Sequence, residues 1–366
     1  MKNIGSVKEN LHSEKRVSIT PETANKLINL KLSVFLEKNY GEHLGILDED
    51  YKKQGVNILV NSGEVYKKSD VIFKINCPSD NEINLINNKS ILIGLFDPPA
   101  NKEILNKLIR KKIRIFSLDL LPRITRAQSM DILSSQANLA GYRAVIEAIY
   151  EFSKAVPMMM TAAGTITPAK VLVFGAGVAG LQAIATAKRL GAIVSATDVR
   201  NIAKEQVESL GGRFLTVEGS ENLETSEGYA KEAGENFKKK QAELIKNAVK
   251  KNDIIICTAL IPGKKAPRII SEEMIYSMKP GSIIYDLAVG QGGNSAFSES
   301  DKINIINSVK VMGSKNILNK LALTASNLYS KNLFNFMNNL YSKDKKDIYI
   351  NKEDEIIDKT MIKGEL

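Results

Sequence analysis

The chain has 366 residues, 43% of them hydrophobic and 25% charged, and a net charge of +10. That length suits two domains, and a chain of this balance can bury large cores without metals or disulfides. Two cysteines and two widely separated histidines exclude a disulfide framework, a zinc site and a His-based triad.

The start, MKNIGSVKEN, lacks the apolar core of a signal peptide. No segment approaches the run of about 18 apolar residues that a membrane span needs. A soluble chain in a reducing compartment is expected, with Cys77 and Cys257 as reduced core thiols. The basic residues are mostly lysines spread along the chain. Runs such as FKKKQAELIKNAVKK alternate with apolar residues at helical spacing and carry no aromatic platform, so nucleic acid is not an expected partner.

In chain order, apolar runs at 32–36, 56–60, 70–75, 90–96 and 112–117 read as buried strands. Helical patterns lie between several of them, at 21–30 (with Thr20 as N-cap and Pro21 in the first turn) and at 102–110. Such alternation predicts a parallel α/β sheet. Residues 129–160 keep helical periodicity and join this domain to a second one. There, a strand in VLVFG is followed by a helix at 178–190, a strand at 192–197 and a helix at 202–210. The polar, glycine-bearing stretch 217–235 reads as a mobile loop. Beyond it come a helix at 235–251, a strand at 253–258, a helix at 271–278 and a strand at 282–286, with a weak strand at 309–312 closing the sheet. An amphipathic helix at 326–340 is expected to pack back on the first domain. The fold class is therefore α/β, with two Rossmann-like, doubly wound parallel-sheet domains and a cleft between them. The first domain comprises 1–133 plus 317–366, and the second 134–316.

The segment VLVFGAGVAGLQAIATAKRLGAIVSATD carries the strongest local signal. A strand runs into Gly175-x-Gly177-x-x-Gly180, then a helix, then a strand ending at Asp198. Gly175 permits the tight turn, Gly177 lets backbone approach a pyrophosphate, and Gly180 lets the helix lie close to the sheet. The helix start, at Val178 and Ala179, offers N–H groups and a positive dipole end to phosphates. Asp198 falls near the expected spacing of about 20 residues and can accept from ribose hydroxyls, which favours NAD(H). Arg200 leaves NADP(H) as a lesser alternative. Val199, Thr258, Ala259 and Leu260 complete the candidate cofactor set.

The segment PRITRAQSMDILSSQANLAGYRA resembles the proton-translocating NAD(P) transhydrogenases, specifically their peripheral NAD-binding portion, within the alanine dehydrogenase/transhydrogenase family. So do MTAAGTITPAKVLVFGAGVAGLQAIATAKRLGA, KEQVESLGG, GYAKE, TALIPGKKAP and MKPGSIIYDLAVGQGGN, and the resemblance runs from KRVSITPE to SNLYSKNLFNF. It implies that a loop carrying Arg123, Gln128 and Asp131 holds the nicotinamide of NAD(H), with Gln128 reaching the redox face and Ser134 nearby. It implies that Tyr229 belongs to a loop that closes over the cofactor. It further implies a homodimer, NADP(H) bound by a partner subunit, and membrane-embedded transhydrogenase subunits whose NADP-binding domain docks here. Hydride would pass directly from NADH to NADP+, and the membrane subunits would couple that step to proton translocation. The chain would lie in the cytoplasm, attached to the inner membrane through those partners. Read from the residues alone, Arg123, Gln128 and Asp131 form a hydrogen-bonding set without a base, and a solvated helix start with an internal ion pair stays open.

Alanine dehydrogenases share the family, so an amino-acid oxidoreductase is the serious alternative; a non-catalytic NAD-binding regulator is a third, disfavoured by the intact Arg123–Gln128–Asp131 set. Amino-acid oxidation moves a proton as well as a hydride and needs acid–base groups. Transfer between two nicotinamides needs two rings with reacting carbons about 3–3.5 Å apart, and no base. Arg16 and Lys74 resemble substrate positions of the dehydrogenase branch. Asp97 in LFDPPANK stands where that branch has a histidine, and Gly290 in LAVGQGGN where it has an aspartate. Two departures at chemical positions favour transhydrogenation, and Arg16 and Lys74 then take a structural reading as salt-bridging or capping groups.

Overall fold

The computed structural model describes residues 2–200, 202–216, 235–261, 264–342 and 344–366. They fall into two units, 1–136 with 318–366, and 137–317.

The first unit is built on a six-stranded sheet. Its strands are β1 (Asn3–Ser6), β2 (Ser33–Glu37), β3 (Asn57–Leu59), β4 (Val71–Phe73), β5 (Ile91–Gly94) and β6 (Arg114–Ser117). They lie in the order β3-β2-β1-β4-β5-β6, all parallel. The sequence reading missed β1, which is four residues long and carries a glycine. Gly5 is required there, since an added Cβ would sit 1.8 Å from Ser69 Oγ. Helices α1 (Pro21–Asn29), α2 (Asp48–Lys52), α3 (Ser62–Lys68), α4 (Asp80–Leu85) and α5 (Lys102–Arg110) connect the strands. At the start of α1 the Thr20 N–H donates to Thr23 Oγ1 at 2.9 Å, and Pro21 occupies the first turn, where its missing N–H costs nothing.

The chain enters the second unit through α6 (Ile132–Glu151). The helical periodicity expected to run to residue 160 stops at Glu151. Pro157 has no N–H to continue a helix and disfavours the α region before it. Residues beyond it form an exposed antiparallel hairpin, β7 (Met159–Thr161) and β8 (Gly164–Ile166). A seven-stranded sheet follows: β9 (Lys170–Phe174), β10 (Ile193–Thr197), β11 (Arg213–Phe214), β12 (Ile254–Cys257), β13 (Ile283–Asp286), β14 (Lys302–Ile306) and β15 (Val309–Gly313). Their order is β11-β10-β9-β12-β13-β15-β14. All neighbours are parallel except β14 and β15. The run at 309–312 therefore does not close the sheet. β14 does, by folding back through Asn307 and Ser308, both at positive φ (48° and 62°) as a two-residue primed turn requires. Helices α7 (Val178–Arg189), α8 (Ile202–Ser209), α9 (Glu235–Val249) and α10 (Glu272–Tyr276) complete the unit.

The last segment returns to the first unit. In α11 (Ala322–Leu340) Tyr329, Leu333, Phe336, Met337 and Leu340 pack into the core formed with Ile4, Val34, Leu36 and Phe73. A second core on the opposite face joins Val65, Ile72, Leu92, Leu105 and Leu108, so the sheet is covered on both sides. After α12 (Glu355–Thr360), Met361 bridges to Phe116 on edge strand β6, and the Ile362 N–H donates to the Ile115 carbonyl at 2.9 Å. Cys257 is fully buried, whereas Cys77 is half-buried, its thiol turned to the Phe96 carbonyl.

Candidate functional site

In the second unit the chain leaves β9 toward β10 and leaves β12 toward β13, in opposite directions across the sheet. A crevice opens beyond the carboxyl ends of two such strands, the usual ligand position in open α/β sheets. The loops that flank it are the glycine-rich turn and Thr258–Leu260. Gly175 takes φ +87°, closed to other residues without strain. A Cβ on Gly180 would lie 1.8 Å from the Gly175 carbonyl oxygen, so only glycine lets α7 start this close to the turn. Gly177 differs from both, because a Cβ there would meet nothing within 4 Å. Its glycine leaves open space just before the first turn of a twelve-residue helix, where backbone N–H groups lack intrahelical partners. Val178, exposed, and Ala179, half-buried, form that turn. The arrangement fits a pyrophosphate.

A feature absent from the sequence reading supports the turn. Gly141, in the middle of α6, faces Ala179, and a Cβ there would lie 2.0 Å from the Ala179 carbonyl oxygen. A helix-interior glycine costs about 1 kcal/mol in propensity; here it permits the close crossing of α6 and α7.

Asp198 follows β10. Its Oδ2 accepts the Ala176 N–H at 2.7 Å, which ties the acid to the turn. Its remaining sites take the Arg200 N–H and Nε at 2.9 and 2.8 Å on Oδ1, and Arg200 Nη2 at 2.8 Å on Oδ2. Burial pushes this carboxyl up, but the Arg200 guanidinium outweighs it and holds the group below the usual aspartate range. A carboxylate has about four acceptor sites, so a ribose hydroxyl reaches Asp198 only by sharing or displacing an Arg200 donor. Val199 is half-buried between them. On the other side of the crevice, Thr258 Oγ1 donates to the carbonyls of Phe174 and Gly175 at 3.1 and 2.9 Å. Ala259 is half-buried and Leu260 exposed.

The first unit holds the other candidate residues on the segment between β6 and α6. Ala127 and Met130 point into the core, whereas Arg123 and Gln128 are exposed. Both Asp131 oxygens accept from Ser134, its N–H at 2.9 Å and its hydroxyl at 2.6 Å, an N-terminal cap on α6. The Gln128 side chain makes no hydrogen bond with the described residues. The segment is fastened from α11, where Asn332 and Asn335 each donate to the Ser129 carbonyl at 2.9 Å. It is also fastened by Arg126, which donates two bonds to Asp354 at 2.6 and 2.8 Å. These anchors were not anticipated, since they join residues about two hundred positions apart. Tyr229 lies outside the described residues.

Arg16 and Lys74 are internally paired. Arg16 donates to both Glu14 oxygens at 2.8 and 2.7 Å and to Gln136 Oε1 at 2.9 Å. Lys74 Nζ bonds Glu82 at 2.7 Å and lies 3.4 Å from Glu9. Burial acts against the Lys74 charge, but Glu9 and Glu82 outweigh it and hold the ammonium above its ordinary range. The structural reading of these two cations is therefore correct. Asp97 is exposed, and Gly290 has open space at its Cβ position.

Two doubly wound sheets, one with a glycine-rich turn at its switch point and an acid on the next strand, define an NAD-binding oxidoreductase of Rossmann-like fold. Comparison with known proteins narrows the class. The sequence profile "Alanine dehydrogenase/PNT, C-terminal domain" matches residues 144–365, and "Alanine dehydrogenase/PNT, N-terminal domain" matches 5–140. The chain belongs to the alanine dehydrogenase/PNT family. It is 49% identical to the first of the chains that make up the NAD(P) transhydrogenase alpha subunit of Rhodospirillum rubrum, over 97% of this chain and 94% of that protein. Against the alanine dehydrogenase of Methanococcus maripaludis it is 30% identical, over 80% of this chain and 73% of that one. A transhydrogenase structure from Sinorhizobium meliloti superposes with a TM-score of 0.90 at 43% identity, covering 100% of this chain and 99% of that one. An L-alanine dehydrogenase structure shares the fold, with a TM-score of 0.81 at 21% identity, covering 99% and 95%.

Proposed function

We propose that this chain is the NAD(H)-binding subunit of a proton-translocating transhydrogenase, passing hydride directly to NADP+ held by a partner subunit. The observation that carries this reading is the likeness to transhydrogenase alpha-subunit relatives over 97% of the chain. The residues at Asp97 and Gly290 favour it over amino-acid oxidation, since neither offers the acid–base pair which that chemistry needs.

When bound, NADH supplies the hydride. The turn Gly175–Gly180 and the start of α7, with Val178 and Ala179, would hold the pyrophosphate. Asp198, Val199 and Arg200 would hold the adenosine ribose, with Arg200 yielding a donor position. Thr258, Ala259 and Leu260 would line the other side. Gln128, Arg123 and Asp131 would orient the nicotinamide, with Ser134 fixing the Asp131 carboxylate. The loop of Tyr229 would exclude water. A homodimer belongs to the same reading, and the exposed Tyr150, Met158 and Met160 offer apolar surface to a second copy. Membrane-embedded subunits would bring the NADP-binding domain, keep this chain at the inner membrane from the cytoplasmic side, and couple transfer to proton movement.

Gln128→Asn shortens the free side chain by one methylene. Transfer to an NADP+ analogue in the presence of the partner subunits should fall at least tenfold, with NADH affinity changed less than about threefold. Stopped-flow transfer and NADH fluorescence titration measure the two quantities. Near-normal transfer sinks the role of Gln128. Turnover of alanine, or of pyruvate with ammonia, by the chain alone sinks the function and favours the dehydrogenase alternative.

A further inference from the structure

We propose that Asn294 is a positioning residue of the nucleotide site, holding the Thr258–Leu260 loop against the glycine-rich turn. This rests on the reading that the turn and loop hold NAD(H). Asn294 is fully buried, yet its side chain reaches across to the backbone of a loop 35 positions away. Its Oδ1 accepts the Ala259 N–H at 3.1 Å. Its Nδ2 donates to the Ala259 carbonyl at 2.8 Å and to the Pro267 carbonyl at 2.9 Å. One amide thus satisfies both backbone groups of Ala259, as a neighbouring strand would, just where β12 has ended and no strand is available.

The position gripped matters to the site. The Ala259 backbone nitrogen lies 3.2 Å from where a Cβ on Gly175 would stand, and the adjacent Thr258 hydroxyl is bonded to the Gly175 carbonyl. A shift of Ala259 is therefore felt at the turn. Asn294 is itself held by its main chain. Asp286, buried at the end of β13, accepts the Asn294 N–H at 2.7 Å, the Ser295 N–H at 3.0 Å and the Ser298 hydroxyl at 2.6 Å through Oδ2, and the Ala288 N–H at 2.9 Å through Oδ1. Gly292 and Gly293, at φ +97° and +77°, turn the chain into that grip. A carboxylate fixes the backbone of Asn294, its amide fixes Ala259, and Ala259 stands against the phosphate turn.

A residue that sets loop position without touching the nicotinamide alters affinity and leaves the transfer step alone. In Asn294→Ala, and in Asn294→Asp, which keeps the acceptor for the Ala259 N–H but loses both donated bonds, the Kd and KM for NADH should rise about tenfold or more. The transfer rate at saturating NADH should stay within about twofold. Hydrogen exchange of the ligand-free wild-type chain supplies an arm that does not depend on a variant folding. The Ala259 amide should exchange markedly more slowly than those of Leu260 and Ile261. A folded Asn294→Ala variant with wild-type NADH affinity, a fall in the saturated rate alone, or fast exchange at Ala259 in the wild type overturns the proposal. Failure of the wild-type chain to bind NADH would instead overturn the functional reading, and the exchange arm would still test the grip.

Discussion

The two units use one topological scheme and fill its critical place in opposite ways. Each sheet reverses direction between two neighbouring parallel strands, β1 and β4 in the first unit, β9 and β12 in the second. In the second unit the turn beyond the first of these strands is glycine, and Gly177 leaves room beside a helix start. In the first unit the corresponding loops are tied by their own charges. Glu9 follows β1 and accepts the Ile75 N–H beyond β4 at 2.8 Å, and Lys74 is clamped between Glu9 and Glu82. A switch point becomes a ligand site only where the chain keeps its side chains out of it. The same fold position can equally be a buried brace.

The largest effect that tests this contrast comes from glycine. Gly180→Ala pushes a methyl into the Gly175 carbonyl and should weaken NADH binding by at least about a hundredfold, roughly 2.7 kcal/mol, with some loss of stability. Gly177→Ala meets no protein atom, so the melting temperature should hold while NADH affinity still drops, by about tenfold. Calorimetric titration and thermal melts on the pair decide it. Equal NADH affinity in the wild type and Gly177→Ala would remove the ligand role of that open space.

A comparable loss should come from the brace, this time in stability alone. Lys74→Met leaves Glu9 and Glu82 facing each other in a buried place, at a cost of about 3 kcal/mol in denaturant unfolding. NADH affinity in the folded variant should be unchanged. A loss of affinity matching the loss of stability would break the division of labour between the units.

The smallest effect concerns the clamp on the Gln128 segment. Hydrogen bonds from the Arg126 guanidinium hold the Asp354 carboxyl well below the usual aspartate range, at about 2. The sign follows from linkage. A carboxyl depressed in the folded state contributes stability that is fully present above its unfolded value, about 3.9, and is lost as pH falls through about 2. Arg126 is half exposed, so solvent screening keeps the contribution under about 1 kcal/mol. Acid unfolding of Asp354→Asn should show a correspondingly smaller loss of stability between pH 4 and 2 than the wild type. An identical acid limb would remove the pair's contribution.

Much of this was legible in the residues. Most of the strands in the two main sheets announced themselves as apolar runs, because strands buried on both faces are continuous stretches of Val, Ile and Leu. The glycine turn was legible because each glycine answers a steric demand at a fixed offset. β1 escaped notice because four residues with a glycine carry no periodic signal, although it lies at the middle of its sheet. β14 escaped because an edge strand half open to solvent mixes Lys, Asn and Ile, and its turn is Asn-Ser where Asn-Gly would have been conspicuous. The helix expected to reach residue 160 was overextended, since apolar spacing alone does not show where Pro157 stops it. The Asp198–Arg200 pairing was only half visible. The sequence offered Arg200 as a phosphate ligand, and the structure turns it onto its neighbour. Asn294 left no trace of its grip, because a side chain that bonds to a distant backbone has no sequence period.

The docking of Met361 and Ile362 along β6 has a consequence for colloidal behaviour. An outermost strand with idle amides and carbonyls is a template on which foreign chains can zip into fibrils. Here two residues of the chain itself occupy that border. At that side of the first sheet, aggregation by strand addition must first peel away a native hydrogen bond, so concentrated preparations should gel only after this short segment is released.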